Sequence, residues 1–378
     1  MKPLYDFYCG SNTWQEVKEV FKFLFSSNDI VEGLYIKKFE DEIGKVTNSK
    51  YVVSYNSGRH ALYSILKALG IKQGDEVILQ AFTCVVVPNA ILYTGAIPVY
   101  MDVEKDHYTL SFTDLKRKIT SRTKAVIVQH TFGYMTDIQK VRDIVGKDIF
   151  IIEDCAHTIK ILQGDAGFIS TDHTKVISTV IGGAFFTNSK IFKSAYYTNE
   201  KLSKFRVFQI AFTFMMEVII TYSKFYKIGR YIRWLLTKLR VFYFLRDENK
   251  SIKPKKYPVK MSNLQAFIGC MQMKKLNDNL KHRTKLSGCG IDLLRRPILV
   301  EDKEKAKSIL KKEGMIAGVW FDLPVFGCDN LERVKYKNGS CPNAEYMCKY
   351  VINLPTHQRI SSDDSKRIIK KLKEKYYE

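Results

Sequence analysis

Short apolar segments that alternate with helical patterns are the feature of this 378-residue sequence that most constrains its fold. The strand-like segments between residues 51 and 154 are "KYVVSY", "DEVILQ", "IPVYMDV", "TKAVIVQH" and "KDIFIIEDC". The last has an unbroken apolar centre, which is typical of strands buried on both faces of a parallel sheet. After the first strand, "RHALYSILKALG" places Leu62, Ile65 and Leu69 on one helical face and closes at Gly70. This order predicts an α/β domain with a mainly parallel sheet between helices.

Polar residues follow several of these strands at the point where each strand ends. They are Asn56 to Gly58, His130, Glu153 with Asp154, and Lys175 after the short strand "AGFIS". Open α/β sheets bind ligands beyond the carboxyl ends of their strands, so we expect these groups to meet in one crevice.

Each of these groups has two interpretations when it is taken alone. Ser57 and Gly58 precede a helix, where they could bind phosphate or simply cap the helix. Asp154 could pair with a protonated heterocycle nitrogen or cap the next helix. Lys175 could be a solvated loop residue or an enclosed amine that forms a Schiff base. Together, the phosphate cradle, the buried carboxylate and the amine match the needs of pyridoxal 5′-phosphate.

The charge and the cysteines narrow the class of protein further. A net charge of +22 indicates an anionic partner, either a phosphorylated substrate, a membrane surface or nucleic acid. No helix-turn-helix, zinc-finger or RNA-recognition pattern is present, which argues against nucleic acid. The eight cysteines have no C-x-x-C spacing and predict reduced thiols without a metal site. The first residues lack the apolar run of a signal peptide, so we expect a cytoplasmic protein.

Longer segments of the chain resemble one known family. They include "GDEVILQAFTCVVVPNAILYTGAIPVYMDVE", "IIEDCAHT", "GDAGFISTDHTKVISTVIGGAFFTN" and "MSNLQAFIGCMQMKKLNDNLKHR". The sequence resembles the DegT/StrS family of sugar-nucleotide aminotransferases, which are fold type I pyridoxal-phosphate enzymes. The resemblance implies a large α/β domain over residues 1–255, with a mainly parallel seven-stranded sheet, and a small C-terminal α+β domain over 256–378. It also implies a homodimer with the active site at the subunit interface.

The resemblance assigns roles to particular residues. Lys175 is expected to hold the cofactor as a Schiff base and to move the catalytic proton, while Asp154 contacts the pyridine nitrogen. The other expected cofactor contacts are His157 at the phenolic oxygen, Thr83 and Cys84 at the ring face, and Ser57, Gly58, Arg59 and Ser170 at the phosphate. The implied reaction moves an amino group from glutamate to a keto group of a nucleotide-linked deoxysugar for surface-glycan synthesis.

The sequence also departs from the family pattern. The loop "IKILQ" after "EDCAHT" is short, Pro258 replaces an asparagine that reaches the partner's phosphate, and Ile181 replaces a glutamate. Lys256 or Lys260 could replace the asparagine contact electrostatically. These departures keep a second hypothesis open, namely a catalytically impaired paralogue that serves as a membrane-associated partner in glycan assembly.

An insert over about residues 205–246 is longer than the family pattern. Its first part, "VFQIAFTFMMEVIITYS", has 17 residues and contains Glu217, so it is too short and too polar to span a membrane. The following stretch is basic and amphipathic, with Trp234 suited to a bilayer interface. It includes Lys224, Phe225, Arg233 and Arg246. We hypothesise peripheral contact with the anionic inner membrane surface; the alternative is packing on the protein's own core or on a second subunit.

Overall fold

The fold is taken from a computed structural model, which describes residues 5–8, 10–105, 107–194, 198–221, 226–243 and 250–376. The strands are β1 Tyr51–Tyr55, β2 Glu76–Gln80, β3 Thr83–Cys84, β4 Ile97–Met101, β5 Thr123–Gln129, β6 Phe150–Asp154, β7 Ala166–Ser170, β8 Gly183–Thr187, β9 Arg295–Leu299, β10 Val325–Phe326 and β11 Val351–Pro355. The α-helices are α1 Trp14–Leu24, α2 Leu34–Thr47, α3 Gly58–Ala68, α4 Val86–Leu92, α5 Phe112–Lys118, α6 Ile138–Val145, α7 Lys204–Ile220, α8 Tyr226–Lys238, α9 Asn263–Met273, α10 Leu276–Ser287, α11 Lys303–Lys312, α12 Pro342–Tyr350 and α13 Ser362–Tyr376.

Seven strands form the central sheet in the order β1-β8-β7-β6-β5-β2-β4. The five strands from β7 to β4 run parallel, whereas β8 is antiparallel to both of its neighbours. The predicted mainly parallel sheet of seven strands is therefore confirmed.

Helices cover both faces of the sheet, as predicted. Alternate residues of a strand point to opposite faces. Thus Leu79 and Ile127 join a buried cluster with side chains of α3 and α4, whereas Ile78, Val126 and Val128 join one with α5 and α6. Because apolar side chains pack on both faces of the sheet, the sequences of these strands are continuous apolar runs.

The C-terminal part forms a smaller α+β unit. Strands β9 and β11 pair antiparallel, and α11 and α13 pack with them around Leu310, Ile352 and Ile368. Strand β10 instead pairs parallel with β3, which brings the C-terminal part beside the large sheet. The domain boundary at 255/256 stays a prediction, since α9 lies after it and yet packs on α2 through Phe39 and Gly269.

The insert forms two helices. Helix α7 buries Val207, Ile210 and Phe214 in a cluster that includes Val20 of α1 and Leu264 of α9. No helix in the described ranges combines the length and apolarity that crossing a membrane requires. Among the insert residues named above, Lys224, Phe225 and Arg246 lie outside the described residues.

Candidate active site

A pocket lies at the carboxyl ends of β6 and β7 and beside the N-terminus of α3. Eight of the nine residues that the sequence points to are placed at or around it, and the ninth, Thr83, lies behind its wall. The lining consists of Ser57, Gly58, Arg59, Leu62, Cys84, Val86, Val87, Gln129, Asp154, Ala156, His157, Phe168, Ser170, Asp172, Lys175, Ile181, Trp320 and Phe321.

Lys175 lies in the irregular segment between β7 and β8. Its backbone N–H donates to the carbonyl of Asp172 (3.0 Å), and its Nζ lies 4.8 Å from the centre of the Trp320 ring. Burial lowers the pKa of the amine to about 8, although the charge of Asp172 acts in the opposite direction. A lysine in this state exchanges protons near neutral pH, which a solvated loop lysine does not.

Asp154 ends β6 and is almost fully buried. Burial raises the pKa of its carboxyl, and the N–H of Ala156, which donates to Oδ1 at 2.9 Å, opposes this shift. Within the described part of the chain, Oδ2 has no hydrogen-bond partner. The pocket therefore contains a carboxylate oxygen that can accept a bond from a ligand N–H.

His157 lies between aromatic rings at the side of the pocket. Its ring stacks on Trp320 (5.6 Å between centres, 19° between planes), and the N–H of Phe132 donates to its Nδ1 at 2.9 Å. Burial, reinforced by the charges of Lys175 and Arg295, lowers its pKa well below the usual value. The ring is neutral, and since Nδ1 accepts, the proton resides on Nε2, which can donate to a ligand oxygen.

The N-terminus of α3 and the end of β7 form a tight cradle. A Cβ atom on Gly58 would lie 3.0 Å from Cβ of Ser170, and one on Gly183 would clash with the Gly58 nitrogen. The Ser57 hydroxyl accepts from the N–H of His60 (3.4 Å) and thereby caps the helix. The first amides of an α-helix have no intrahelical partner, so the cradle is suited to an anion.

Thr83 lies behind the wall of the pocket and not in it. Its buried hydroxyl donates to Oε1 of Gln129 at 2.6 Å, and Gln129 is the residue that lines the cavity. Contact of Thr83 with a ring in the pocket therefore stays a prediction, whereas Cys84 lines the pocket.

Two further strand-end residues do not reach the crevice. His130 Nε2 pairs with Glu153 Oε2 at 2.9 Å, and both side chains are completely buried. The other oxygen of Glu153 accepts from the N–H groups of Gln163 and Gly164. The expectation that all strand-end groups meet in one crevice is wrong for His130 and Glu153, because internal hydrogen bonds occupy both side chains. Cys155 offers a third ligand atom within 4.8 Å of those of His130 and Glu153, and the pairing of His130 with Glu153 occupies the other two.

Several lining or neighbouring residues were not found from the sequence, among them Asp172, Arg295, Trp320 and Phe321. Arg295 is 3% exposed, and its guanidinium carbon lies 3.4 Å above the Trp320 ring. Among the described residues, no carboxylate lies within ion-pair distance of it, and its Nε has no hydrogen-bond partner. Burial lowers its pKa to about 9. A buried cation in this state favours an anionic ligand.

The positions that depart from the family pattern have defined surroundings. Lys256 forms an ion pair with Glu200 (3.2 Å), and the hydroxyl of Tyr257 donates to the carbonyl of Arg59 (3.1 Å). Ile181 contributes an apolar wall to the pocket. The segment that contains Pro258 therefore braces the cradle from outside.

The fold and this pocket define the class of fold type I aminotransferases. The chain belongs to the DegT/DnrJ/EryC1/StrS aminotransferase family, whose model matches residues 11–217 and 291–373.

Similar proteins include the GDP-perosamine synthase of Escherichia coli O157:H7, which is 34% identical over 192 residues. That match covers 48% of this chain and 53% of the relative, about half of its length. The spore coat polysaccharide biosynthesis protein SpsC of Bacillus subtilis is 26% identical over 396 residues, which cover 95% of this chain and 94% of that protein. Among solved structures, NtdA from Bacillus subtilis with bound cofactor PMP has a TM-score of 0.75 at 20% identity, covering 100% of this chain and 86% of the other.

Proposed function

We propose that the protein is a pyridoxal-phosphate-dependent aminotransferase that moves an amino group from glutamate to a keto group of a nucleotide-linked deoxysugar. The observation that carries the proposal is the set of three complementary groups in one pocket. These are the buried amine of Lys175, the unpartnered oxygen of Asp154 and the glycine-lined cradle at the start of α3.

The residues present fit this cofactor. Asp154 Oδ2 would accept from the ring nitrogen, neutral His157 would donate to the phenolic oxygen, and Ser170 with the first amides of α3 would hold the phosphate. Cys84 and Ala156 leave room for a flat ring. When bound, the cofactor supplies an electron sink that acidifies the carbon bearing the amino group.

The protein's own contribution is proton transfer and orientation. Lys175, with a pKa of about 8, titrates near neutral pH and would accept a proton from one carbon and return it to another. Burial raises the pKa of the Asp154 carboxyl and the charge of Lys175 opposes this shift; the ionised carboxylate would keep a ring nitrogen protonated. Arg295, held flat on Trp320, would bind an anionic group of the substrate or donor.

The substrate class is supported by the chemistry of the chain and by its relatives. The net charge of +22 favours a diphosphate-bearing substrate. The names of two relatives refer to a GDP-sugar and to a spore coat polysaccharide. An impaired paralogue, the second hypothesis, has no reason to keep Lys175, Asp154 and Ser170 together in one pocket.

We further propose a cytoplasmic homodimer that contacts the anionic inner membrane surface through the insert. Seven large apolar side chains of α7, α8 and the residue after α8 are exposed, and we call them the insert surface: Phe205, Phe208, Ile219, Ile228, Tyr231, Trp234 and Leu239. Ile228 and Leu239 are 64% and 62% exposed. The seven cysteines in the described part form no disulfide with one another.

Single-turnover amino transfer tests the proposed function. Cofactor-loaded protein mixed with glutamate should release one equivalent of 2-oxoglutarate per site and then aminate an added nucleotide-linked keto-deoxysugar. Lys175→Arg should lose at least about 10²-fold in rate because its acid–base group is displaced and far more basic. Lys147→Arg, an exposed lysine elsewhere, is the control. Undiminished transfer by Lys175→Arg would contradict the assignment.

A further inference from the structure

The insert contacts the Lys175 segment through a buried ionic network. Glu217, in the last turn of α7, is completely buried. Its Oε1 lies 3.3 Å from Nδ1 of His173 and 3.2 Å from a terminal nitrogen of Arg233 on α8. His173 stands two residues before Lys175 in the chain. The acid that interrupts the apolar helix α7 thus lies directly behind the candidate catalytic segment.

This arrangement stabilises the carboxylate and fixes the imidazole. A buried carboxylate is costly unless cations and donors surround it, and here the imidazole of His173 and the guanidinium of Arg233 lie within ion-pair distance of Oε1. The Arg233 guanidinium carbon also lies 3.3 Å from the ring of Tyr8, and that ring packs edge-on against His173 at 5.0 Å. The backbone N–H of His173 donates to the carbonyl of Val180 (3.0 Å). His173 is therefore held from three sides.

The network continues into the pocket through Asp172. Nε2 of His173 lies 3.5 Å from Oδ1 of Asp172, and the carbonyl of Asp172 accepts from the N–H of Lys175. Asp172 lines the pocket, and its negative charge favours the protonated form of the lysine. Asp172 Oδ1 also accepts from the N–H and the hydroxyl of Thr174 (3.3 and 3.4 Å), so the imidazole and Thr174 together position this carboxylate beside the pocket.

We propose that Glu217 is a positioning residue for Lys175. Glu217 acts through His173 and Asp172, so the insert contributes to the active site. The match to the family model ends at residue 217 and resumes at 291, so Arg233 belongs to a segment that this model does not cover. The kinetic effect expected from this proposal rests on the proposed function. The coupling between Glu217 and Lys175 does not, because it is a property of the protein alone.

The test compares Glu217→Gln and Arg233→Gln with Glu76→Gln. Glutamine keeps the shape of Glu217 and removes its charge. Glu76 is a matched control because it is also buried and paired with an arginine, Arg122, but at the amino end of β2, away from the pocket. We expect the glutamate half-reaction to slow about 10- to 100-fold in both network variants, with KM within about twofold of wild type. Glu76→Gln should keep the wild-type rate.

A second readout does not require catalysis. The pH midpoint for acylation of the Lys175 amine in cofactor-free protein, followed by peptide mass spectrometry, should fall in Glu217→Gln, since Asp172 is no longer held near the amine. The double variant His173→Gln with Glu217→Gln should be no slower than His173→Gln alone. If wild-type protein transfers no amino group, the proposed function fails, whereas the Lys175 midpoint still reports the coupling. A lowered melting temperature with unchanged rate and unchanged midpoint would overturn the proposal, because Glu217 would then be structural only.

Discussion

At the scale of single residues, the reactivity of Lys175 is a balance between burial and several neighbouring charges, among them Asp172 and Arg295. Burial lowers the pKa of the amine to about 8, the Asp172 carboxylate raises it, and the Arg295 guanidinium lowers it. The two charges therefore have opposite and separable effects on the fraction of free amine at neutral pH.

Variants of these two neighbours should shift Lys175 in opposite directions. Asp172→Asn removes the charge that favours the protonated amine, so the pKa should fall. Arg295→Gln removes a repelling cation, so the pKa should rise. Arg296→Gln, the next residue on β9, is the control for loss of positive charge. The measurement is the pH dependence of Lys175 acylation in cofactor-free protein, followed by peptide mass spectrometry. Shifts of equal sign in the two variants would contradict this electrostatic account.

The sequence predicts only part of this residue-scale arrangement. Lys175, Asp154 and Ser170 could be found because parallel strands end at one edge of a sheet. Arg295 and Trp320 could not, since more than 100 positions separate them from Lys175 and no local pattern marks them. The sequence pattern predicts a basic outer face for Arg233, whereas its guanidinium points inward and pairs with the buried Glu217.

At the scale of elements, the start of α3 combines two functions that the sequence analysis treated as alternatives. The Ser57 hydroxyl caps the helix, which confirms the structural interpretation. The same residue lines the pocket together with Gly58 and Arg59, which keeps phosphate binding as a proposal.

A matched pair of caps separates these two functions. Ser57 and Ser203 each accept an N–H bond of 3.4 Å at the start of α3 and α7, respectively. Replacing either serine by alanine should lower the free energy of unfolding by about 0.5–2 kcal/mol. Only Ser57→Ala should also weaken binding of pyridoxal phosphate, measured by equilibrium dialysis and compared with phosphate-free pyridoxal. Equal cofactor affinities in the two variants would leave Ser57 as a cap alone.

The sequence predicts where the strands lie better than it predicts which strands pair. The continuous apolar runs predict the central strands, because strands that are buried on both faces do not alternate apolar and polar residues. The antiparallel direction of β8 and the pairing of β3 with β10 carry no comparable signal, because both are decided by tertiary packing.

At the scale of the whole molecule, the positive charge and the insert surface suggest a place for the protein in the cell. An exposed apolar surface rimmed by lysine and arginine binds anionic bilayers by combined burial and attraction. A second copy of the chain could also cover this surface, and the two occupants are distinguishable in solution.

Vesicle flotation distinguishes binding of the insert surface to a bilayer from its burial by a second copy of the chain. The protein should float with vesicles that contain phosphatidylglycerol and not with pure phosphatidylcholine vesicles. The variant Ile228→Ser with Leu239→Ser should bind at least about tenfold more weakly, because two large apolar side chains are lost. Ile161→Ser with Leu323→Ser, exposed positions outside the insert, is the control. Unchanged flotation combined with a smaller sedimenting mass would show that the surface joins two subunits.

The most direct test of the central claim is to identify the residue that holds the cofactor. Purified protein is incubated with pyridoxal phosphate, reduced with borohydride, digested and analysed by peptide mass spectrometry. The account predicts one reduced adduct, on Lys175, and its absence in Lys175→Arg. An adduct on another lysine, or no adduct at saturating cofactor, would contradict the proposed function.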